Sequence, residues 1–249
     1  MKNKEYIKIN NLCKTFYNED NQLTAFENLN IEIEEGTIIS ILGKSGCGKT
    51  TLLRCIGGFE TITNGNITLN DKEVIKPNKK AIMIFQSPDQ LFTWQTVKDN
   101  ITSSIKVVNK ISDKESLEKI VTKFLKEVEL LEFENYYPNK LSGGMKQRAA
   151  LARALSLDAD VLLMDEPFSS LDSFTRKNLQ ELVVNVCKKH NITVIFVTHS
   201  IEEAIKISDK IIIMDGKPCK KLLVYKLNSK NKKKIKLEIE KYFNIKEEY

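Results

Sequence analysis

Histidine, cysteine and long apolar runs are all scarce in this chain of 249 residues. Two histidines are too few for a histidine-rich metal centre, and we expect His190, in a polar Lys-Lys-His-Asn turn, to be exposed. The five cysteines are an odd number without a Cys-x-x-Cys pair, which argues against both a disulfide framework and a zinc site. Because no apolar run is long enough to span a bilayer and residues 1–8 lack an apolar signal core, we expect a cytoplasmic protein.

The positive charge is concentrated near the end of the sequence. The chain carries a net charge of +6, but residues 217–249 hold eleven lysines and four glutamates, which leaves −1 for the rest. A basic tail can favour an anionic membrane surface or RNA. Such a run is more often a solvated face that aids solubility, and we expect no nucleic-acid partner. The hydrophobic residues, 41% of the chain, are enough for a sizeable core.

Short apolar segments predict an α/β fold. The first 35 residues alternate apolar and polar positions, which predicts antiparallel strands with one buried face. Residues 37–42 form a nearly continuous apolar run that ends in glycine and predicts a buried strand. Similar runs, with helical patterns between several of them, predict a largely parallel sheet. These runs are residues 81–85, 161–164, 193–197 and 211–214.

The pattern changes to helix between residues 87 and 157. Ser112 and Glu115 form a capping box, which predicts the start of an amphipathic helix of roughly 18 residues. A second helix should follow Gly144. We therefore predict one domain with a core of residues 1–86 and 158–220, a helical subdomain of 87–157 and a basic tail of 221–249. The apolar positions of the first helix are Leu117, Ile120, Val121, Phe124, Leu125, Val128 and Leu131.

The segment from Gly43 to Thr51 matches the P-loop pattern, between the strand of residues 37–42 and a helix. Its glycines let the backbone curl so that successive N–H groups point at phosphate oxygens, and the helix N-terminus adds positive charge. Lys49 is placed to reach the β- and γ-phosphates, and the hydroxyl of Thr50 is placed to coordinate Mg²⁺. The predicted nucleotide-binding residues are Gly43, Lys44, Ser45, Gly46, Cys47, Gly48, Lys49, Thr50 and Thr51.

A second motif places two carboxylates at the end of the apolar run 161–164. Asp165 is suited to hold Mg²⁺, usually through water, and Glu166 to polarise an attacking water as general base. Taken alone, an acid at a strand end also fits a helix cap. Its position downstream of a P-loop favours the catalytic interpretation.

The segment Leu-Ser-Gly-Gly-Met-Lys-Gln-Arg, residues 141–148, resembles the signature motif of ABC ATPases. Ser142 and the amides of Gly143 and Gly144 precede a helix expected near Met145, a further place for anion binding. The resemblance covers roughly residues 5–220. It implies an ABC-type P-loop NTPase with an N-terminal antiparallel β-subdomain, a RecA-like core and an inserted α-helical subdomain. It also implies hydrolysis of ATP with Mg²⁺.

The resemblance assigns four further residues. Gln86 matches the glutamine that contacts Mg²⁺ and the attacking water, and Asp172 lies in the loop that communicates between protomers. His199 matches the switch histidine that touches the γ-phosphate. Phe16 matches the aromatic that stacks on adenine, with Tyr17 as an alternative, although a strand aromatic here is also suited to the core.

In this family one protomer's P-loop and its partner's signature motif enclose each ATP. The resemblance thus implies a homodimer or a paired ATPase subunit. It also implies a membrane permease at the cytoplasmic face of the membrane and, indirectly, a solute-binding protein. The chain has one cassette, no long coiled coil and no fused membrane domain, which favours an importer. A lipoprotein-releasing exporter or a non-transport ABC ATPase is the alternative.

Residues 85–100 resemble the nitrate, sulfonate and taurine importer subfamily, and residues 216–218 fit the same group. Thr93 stands where those proteins usually carry proline. The segment also places Leu91, Phe92 and Trp94 in a loop. These apolar side chains either pack beneath the helical subdomain or line a groove for a short helix of the permease.

Overall fold

The computed structural model describes residues 5–18, 21–85 and 90–245. The chain divides into two compact units, one of Met1–Pro77 with Thr193–Tyr249 and one of Asn78–Ile192. The strands are β1 (Glu5–Asn18), β2 (Asn21–Glu34), β3 (Ile38–Leu42), β4 (Asn64–Leu69), β5 (Lys72–Glu73), β6 (Ala81–Ile84), β7 (Val161–Asp165), β8 (Thr193–Val197), β9 (Lys210–Gly216) and β10 (Cys219–Lys226). The helices are α1 (Lys49–Ile56), α2 (Val97–Asn109), α3 (Lys114–Glu127), α4 (Gly143–Leu155), α5 (Ser173–Lys189), α6 (Ile201–Ile207) and α7 (Lys232–Ile245). Among the helices of this described part, none has the length and apolarity needed to cross a membrane.

The first unit begins with the predicted antiparallel strands. β1 pairs with β2 and with β4, so that Ile9 lies opposite Ile31 on one side and Ile67 on the other. All three isoleucines are buried. The alternation read from the first 35 residues is confirmed, because it reflects a sheet with one apolar face.

A parallel group of strands completes the sheet of this unit, whose order is β5-β4-β1-β2-β10-β9-β3-β8. The central strand β3 is buried at all five positions and is parallel to both neighbours. Ile41 lies opposite Val197 of β8 and Ile212 of β9. The carboxyl ends of the three strands therefore meet at one edge, which is where parallel α/β sheets place their ligands.

The second unit contains β6 and β7, which are parallel, and the helices α2 to α5. The predicted cap of α3 is wrong by one residue. Asp113, not Ser112, is the N-cap, and its carboxylate accepts a hydrogen bond from Ser116 N at 2.8 Å. The helix is also shorter than expected: it spans 14 residues, and the backbone turns away at Glu129, where φ is +58°.

His190 is not the exposed turn residue that the sequence suggested. Its Nε2 lies 2.7 Å from Oε2 of Glu127, and Lys189 Nζ lies 2.8 Å from the other carboxylate oxygen. Burial raises the pKa of Glu127, but the hydrogen bonds from Lys189 and His190 outweigh it, so the pKa lies below its usual value. The half-buried histidine thus ties the end of α5 to the end of α3.

Candidate functional site

The phosphate-binding loop predicted at residues 43–48 connects β3 to α1 in the first unit. Gly48 is the N-cap of α1 with φ +93°, a left-handed conformation that favours glycine. At Gly43 a Cβ atom would lie 2.6 Å from both Cys47 Sγ and the carbonyl oxygen of Met214. The loop therefore needs glycine at these positions, and it presents backbone groups instead of side chains at the start of a helix.

Lys49 is buried, and its ammonium group is held inside this loop. Nζ donates hydrogen bonds to the carbonyl oxygens of Gly43, at 2.8 Å, and Lys44, at 3.0 Å. Thr50 and Thr51 follow in the first turn of α1, where both are half-buried. A fixed positive charge beside a helix N-terminus is the arrangement that phosphate recognition requires.

The other side chains of the loop differ in exposure. The Lys44 and Ser45 side chains are exposed, as is the backbone of Gly46, whereas Cys47 is buried. Burial raises the pKa of the Cys47 thiol, and Lys49 offsets this only in part. Cys47 therefore fills space beneath the loop as a neutral thiol.

Sequence reasoning gave Lys217 no role at this loop. It lies in the turn between β9 and β10, and its Nζ is 3.2 Å from the position that a Cβ on Gly46 would occupy. The exposed ammonium group thus lies over the loop. Lys217 lies near the loop because β9 pairs with β3. That pairing joins distant parts of the chain, so no local sequence pattern reveals it.

His199 lies at the same sheet edge as the loop. Ile41 of β3 is opposite Val197 of β8, and Thr198 N donates a hydrogen bond to Ile41 O at 3.2 Å. The chain then presents the His199 side chain to solvent. The first unit therefore places the predicted P-loop and His199 at the same edge of the sheet.

Of the two aromatic residues considered for adenine, Phe16 is half-buried and Tyr17 is 68% exposed. Lys14 Nζ lies 4.4 Å from the centroid of the Phe16 ring and 2.8 Å from a carboxylate oxygen of Glu60. The buried Lys14 thus supports the Phe16 ring by a cation–π contact. Stacking on adenine stays a prediction for Phe16.

The second unit carries the acidic pair. β7 ends at the buried Asp165, and β6 lies parallel with Ile84 opposite Met164. Glu166 follows with φ +44°, an uncommon conformation for a residue with a Cβ. Its carbonyl oxygen accepts hydrogen bonds from Ser169 N at 3.2 Å and Ser169 Oγ at 3.0 Å. This turn maintains the strained backbone, a feature concentrated at functional sites. Gln86, also predicted here, lies outside the described residues.

The signature residues lie at the start of α4. Ser142 is the N-cap and accepts a hydrogen bond from Met145 N at 3.3 Å, so the helix begins slightly earlier than the expected Met145. Ser142 and Gly143 are exposed. Gly144 is buried, and a Cβ there would lie 2.3 Å from Thr175 Cγ2 of α5. Gly143 therefore leaves the start of α4 exposed, and Gly144 allows α4 to pack closely against α5.

Asp172 caps α5. Its Oδ1 accepts hydrogen bonds from Thr175 N at 3.0 Å and Phe174 N at 3.1 Å. The hydrogen bonds with Thr175 come first among the causes that lower the pKa of this carboxyl group. The carboxylate therefore has a structural function within the chain, whatever it contacts in a partner.

The apolar loop after β6 is divided between core and surface. Leu91 is buried at 3% exposure, whereas Phe92 is 40% exposed and Trp94 is 72% exposed. The Phe92 and Trp94 rings lie 5.3 Å apart, centroid to centroid. Of the three apolar side chains named for this loop, Phe92 and Trp94 are therefore the ones at the surface.

The same loop is held in shape by Asn100, a buried residue of α2. Its Oδ1 accepts a hydrogen bond from Phe92 N at 2.8 Å, and its Nδ2 donates to Phe92 O and Thr96 O, each at 3.0 Å. Arg153 of α4 adds a hydrogen bond to Gln90 O at 3.0 Å. The exposed aromatic pair therefore lies on a fixed loop.

Comparison with known proteins agrees with this geometry. A protein-family model for ABC transporters matches residues 26–169. The chain is 42% identical over 213 residues to the aliphatic sulfonates import ATP-binding protein SsuB of Bacillus anthracis, covering 85% of this chain and 82% of that protein. It is 37% identical to the bicarbonate transport ATP-binding protein CmpC of Synechococcus elongatus, covering 87% of this chain and 33% of that one.

A solved structure of an ATP-binding cassette is also similar to this chain. The dimeric structure of a post-hydrolysis state of the ATP-binding cassette MJ0796, bound to ADP and Pi, matches with a TM-score of 0.76 and 30% sequence identity. The match covers 90% of this chain and 99% of that one.

Proposed function

Because the chain belongs to the ABC transporter family, we propose that it energises an importer of small solutes of the nitrate, sulfonate and taurine kind. Proteins of this family bind and hydrolyse ATP, and the chain is an ATPase with the predicted ABC fold. The observation that supports the importer most directly is the 42% identity to a sulfonate import subunit over 82% of its length.

In this proposal the loop of residues 43–48 binds the phosphates of ATP. Its amides and the N-terminus of α1 face the β- and γ-phosphates, and Lys49 adds a charge that is already fixed. Phe16 stacks on the adenine, since its ring is held by Lys14. His199 contacts the γ-phosphate from the neighbouring strand end.

The side chains proposed for Mg²⁺ fit a hard cation. Thr50 offers a hydroxyl, Asp165 a carboxylate and Gln86 an amide oxygen, which are oxygen ligands that Mg²⁺ prefers. Residues 5–18, 21–85 and 90–245 contain no group of three or more His, Cys, Asp or Glu side chains placed for a metal. A cation with few protein ligands, completed by phosphate oxygens and water, agrees with that finding. When bound, Mg²⁺ would neutralise phosphate charge.

Glu166 is the proposed general base. Its carboxylate takes a proton from the water as the water oxygen bonds to the γ-phosphorus. The bond from that phosphorus to the bridging oxygen breaks, so that ADP leaves and inorganic phosphate is formed. The strained backbone of Glu166, at φ +44°, supports this role. The hydrogen bonds from Ser169 hold that backbone and so fix the point from which the Glu166 side chain extends.

We propose that the working form is a dimer in which each ATP lies between one P-loop and the partner's signature motif. Support comes from the exposure of Ser142 and Gly143 at the N-terminus of α4. Helix N-termini bind anions, and this one is open to a second protomer. The matched cassette structure bound to ADP and Pi is itself dimeric.

The proposed partner of the aromatic pair is a short cytoplasmic helix of the permease. Phe92 and Trp94 offer an apolar surface on a loop fixed by Asn100, which suits helix-in-groove recognition. The contact lies in the proposed helical subdomain of residues 87–157. A solute-binding protein would deliver solute to the permease and not to this chain.

Alanine substitutions in this loop should separate binding from folding. We expect Phe92→Ala and Trp94→Ala to cost about 1 kcal/mol or less, since Trp94 is largely exposed and Phe92 is 40% exposed, while reducing co-purification of the permease. Leu91→Ala is the matched core control and should cost about 2–5 kcal/mol, with a melting temperature several degrees lower. Thermal melts and pull-downs measure both effects. Destabilised aromatic variants that still bind the permease would refute the groove.

The importer itself is tested by purifying the tagged chain with its membrane partner from its own cells. We expect a separate permease. Vesicles with this chain on the inner face and the solute-binding protein outside should take up an alkyl sulfonate or taurine only when ATP is enclosed on the side of this chain. Recovery of a lipoprotein-releasing complex, or solute transport in the opposite direction, would exclude the importer and leave the ATPase assignment intact.

A further inference from the structure

The loop that carries His199 is held by hydrogen bonds on both sides of the histidine, one of them buried and the others partly buried. Thr198 Oγ1 donates to Glu203 Oε2 at 2.6 Å and accepts from Ser200 N at 3.0 Å. Ser200 Oγ accepts from Glu203 N at 3.3 Å and is the N-cap of α6. Thr198 and Glu203 are buried, whereas the His199 side chain is exposed. The backbone position of His199 is therefore constrained by its two neighbours.

This arrangement is a modified capping box. In the ordinary form, the glutamate at the third helical position bonds the N–H of the N-cap residue directly. Here the Thr198 hydroxyl is inserted between Glu203 and Ser200 N, so the residue before the histidine becomes part of the cap. Any displacement of Glu203 consequently moves Thr198, and with it the backbone of His199.

The helix α6 that carries Glu203 has seven residues, too short to be stable without packing. Ala204 and Ile205 of α6 belong to a buried cluster with Ile235 and Ile239 of α7. The cluster also contains Leu42, the residue immediately before the P-loop. The lysine-rich end of the chain is thus a helix that packs behind the switch histidine.

Polar contacts fix α7 along the same surface. Lys236 Nζ lies 3.0 Å from a carboxylate oxygen of Glu202, at the start of α6. Lys232 Nζ donates to Lys206 O at 2.9 Å, near the carboxyl end of α6, where a cation is favourable. α7 therefore contacts both ends of α6.

We propose that Glu203 is a positioning residue for His199 and that α7 holds α6 so that Glu203 stays in place. The inference rests on the role of His199 in the proposed function. A displacement of about 1 Å in a group that orients a reacting phosphate can lower turnover on the order of 10²-fold. Packing at α7 therefore sets the rate of hydrolysis without touching nucleotide.

Two matched pairs of variants of the full chain test this inference. Ile239→Ala removes a buried α7 contact, and Leu237→Ala alters the same helix at a position 63% exposed. Thr198→Val deletes the bridging hydroxyl, and Thr198→Ser keeps it. We expect Ile239→Ala and Thr198→Val to lower kcat by about tenfold. The Kd of ATP should change by less than about twofold, because the P-loop is intact. Leu237→Ala and Thr198→Ser should keep at least half of the wild-type kcat.

Adding His199→Ala to each variant shows whether the effect passes through the histidine. We expect His199→Ala to lower kcat by at least about tenfold, and the second substitution to add less than about twofold, because residues acting as a unit are not additive. If His199→Ala alone leaves kcat unchanged, the proposed role of His199 fails.

If instead His199→Ala is impaired while Thr198→Val and Ile239→Ala hydrolyse ATP at the wild-type rate, only the positioning inference is overturned. Independent, multiplicative losses, or a fall in ATP affinity equal to the fall in kcat, would overturn it as well. Should Ile239→Ala fail to fold, the Thr198 pair decides the outcome alone.

Discussion

Replacing Glu166 by glutamine is expected to lower ATP turnover on the order of 10²–10⁴-fold while leaving ATP binding intact. Glutamine keeps the size of the side chain and tolerates the same backbone conformation, but its amide does not accept a proton from water. The Ser169 hydrogen bonds are made by the Glu166 carbonyl oxygen and survive the change. The loss is thus one of proton transfer and not of folding.

Steady-state hydrolysis and equilibrium ATP binding together measure this effect. The Glu166→Gln protein should also accumulate as an ATP-bound dimer, since closure precedes hydrolysis in the proposed cycle. Glu132→Gln, which alters an exposed glutamate of the same unit, is the control for loss of one carboxylate. Near-normal turnover in Glu166→Gln would remove Glu166 from the role of general base.

The buried strands and the P-loop were predictable because their signals are local. β3 and β8 are buried at every position, and apart from Ser40 and Thr193 their residues are apolar, so the pattern is readable without knowledge of the neighbouring strands. Gly48 is equally informative, because a left-handed N-cap favours glycine and the motif records it at a fixed spacing. The fold and the predicted nucleotide site were therefore inferred from the same short segments.

The error at the start of α3 has a different origin. Ser112 and Asp113 are adjacent, and both residue types are good N-caps. Propensity does not distinguish them; the choice depends on which oxygen reaches the amide of Ser116 once the helix is placed. Patterns of this kind predict that a helix begins, and geometry decides at which residue.

Tertiary packing explains what the sequence left open near its end. Ile235, Ile239 and Tyr242 recur at helical spacing, but lysines between them give the segment the composition of a solvated tail. The spacing gives α7 an apolar face, and this face is buried because it packs against apolar residues of α6. Leu91 and Phe92 show the same limit. One is buried and the next is exposed in a loop whose backbone is held at Phe92 by Asn100, a residue of another element.

A mixture of two inactive variants should recover activity if the proposed dimer is correct. Lys49→Ala removes the ammonium group that the P-loop holds, so it should weaken ATP binding itself. Ser142→Asp keeps a good N-cap for α4 but places a negative charge where the proposed partner's phosphates lie. Each variant alone should therefore lose activity by about 10²-fold or more.

In a Lys49→Ala and Ser142→Asp heterodimer, one site combines the intact P-loop of the second variant with the intact signature of the first. Random pairing of equal amounts should return up to about a quarter of wild-type activity, since half of the dimers carry one working site out of two. ATPase assays on the mixture, with differently tagged protomers to count heterodimers, measure the recovery. Heterodimers without recovered activity would refute the shared site.

The double variant Lys49→Ala/Ser142→Asp distinguishes a shared site from one that each protomer builds alone. In a shared site, every wild-type protomer paired with the double variant faces a defective signature, and its own signature faces a defective P-loop. Both sites of that dimer are then lost, so excess double variant should suppress wild-type activity towards zero. If each protomer instead contained its own complete site, the wild-type protomers would keep their activity at any excess.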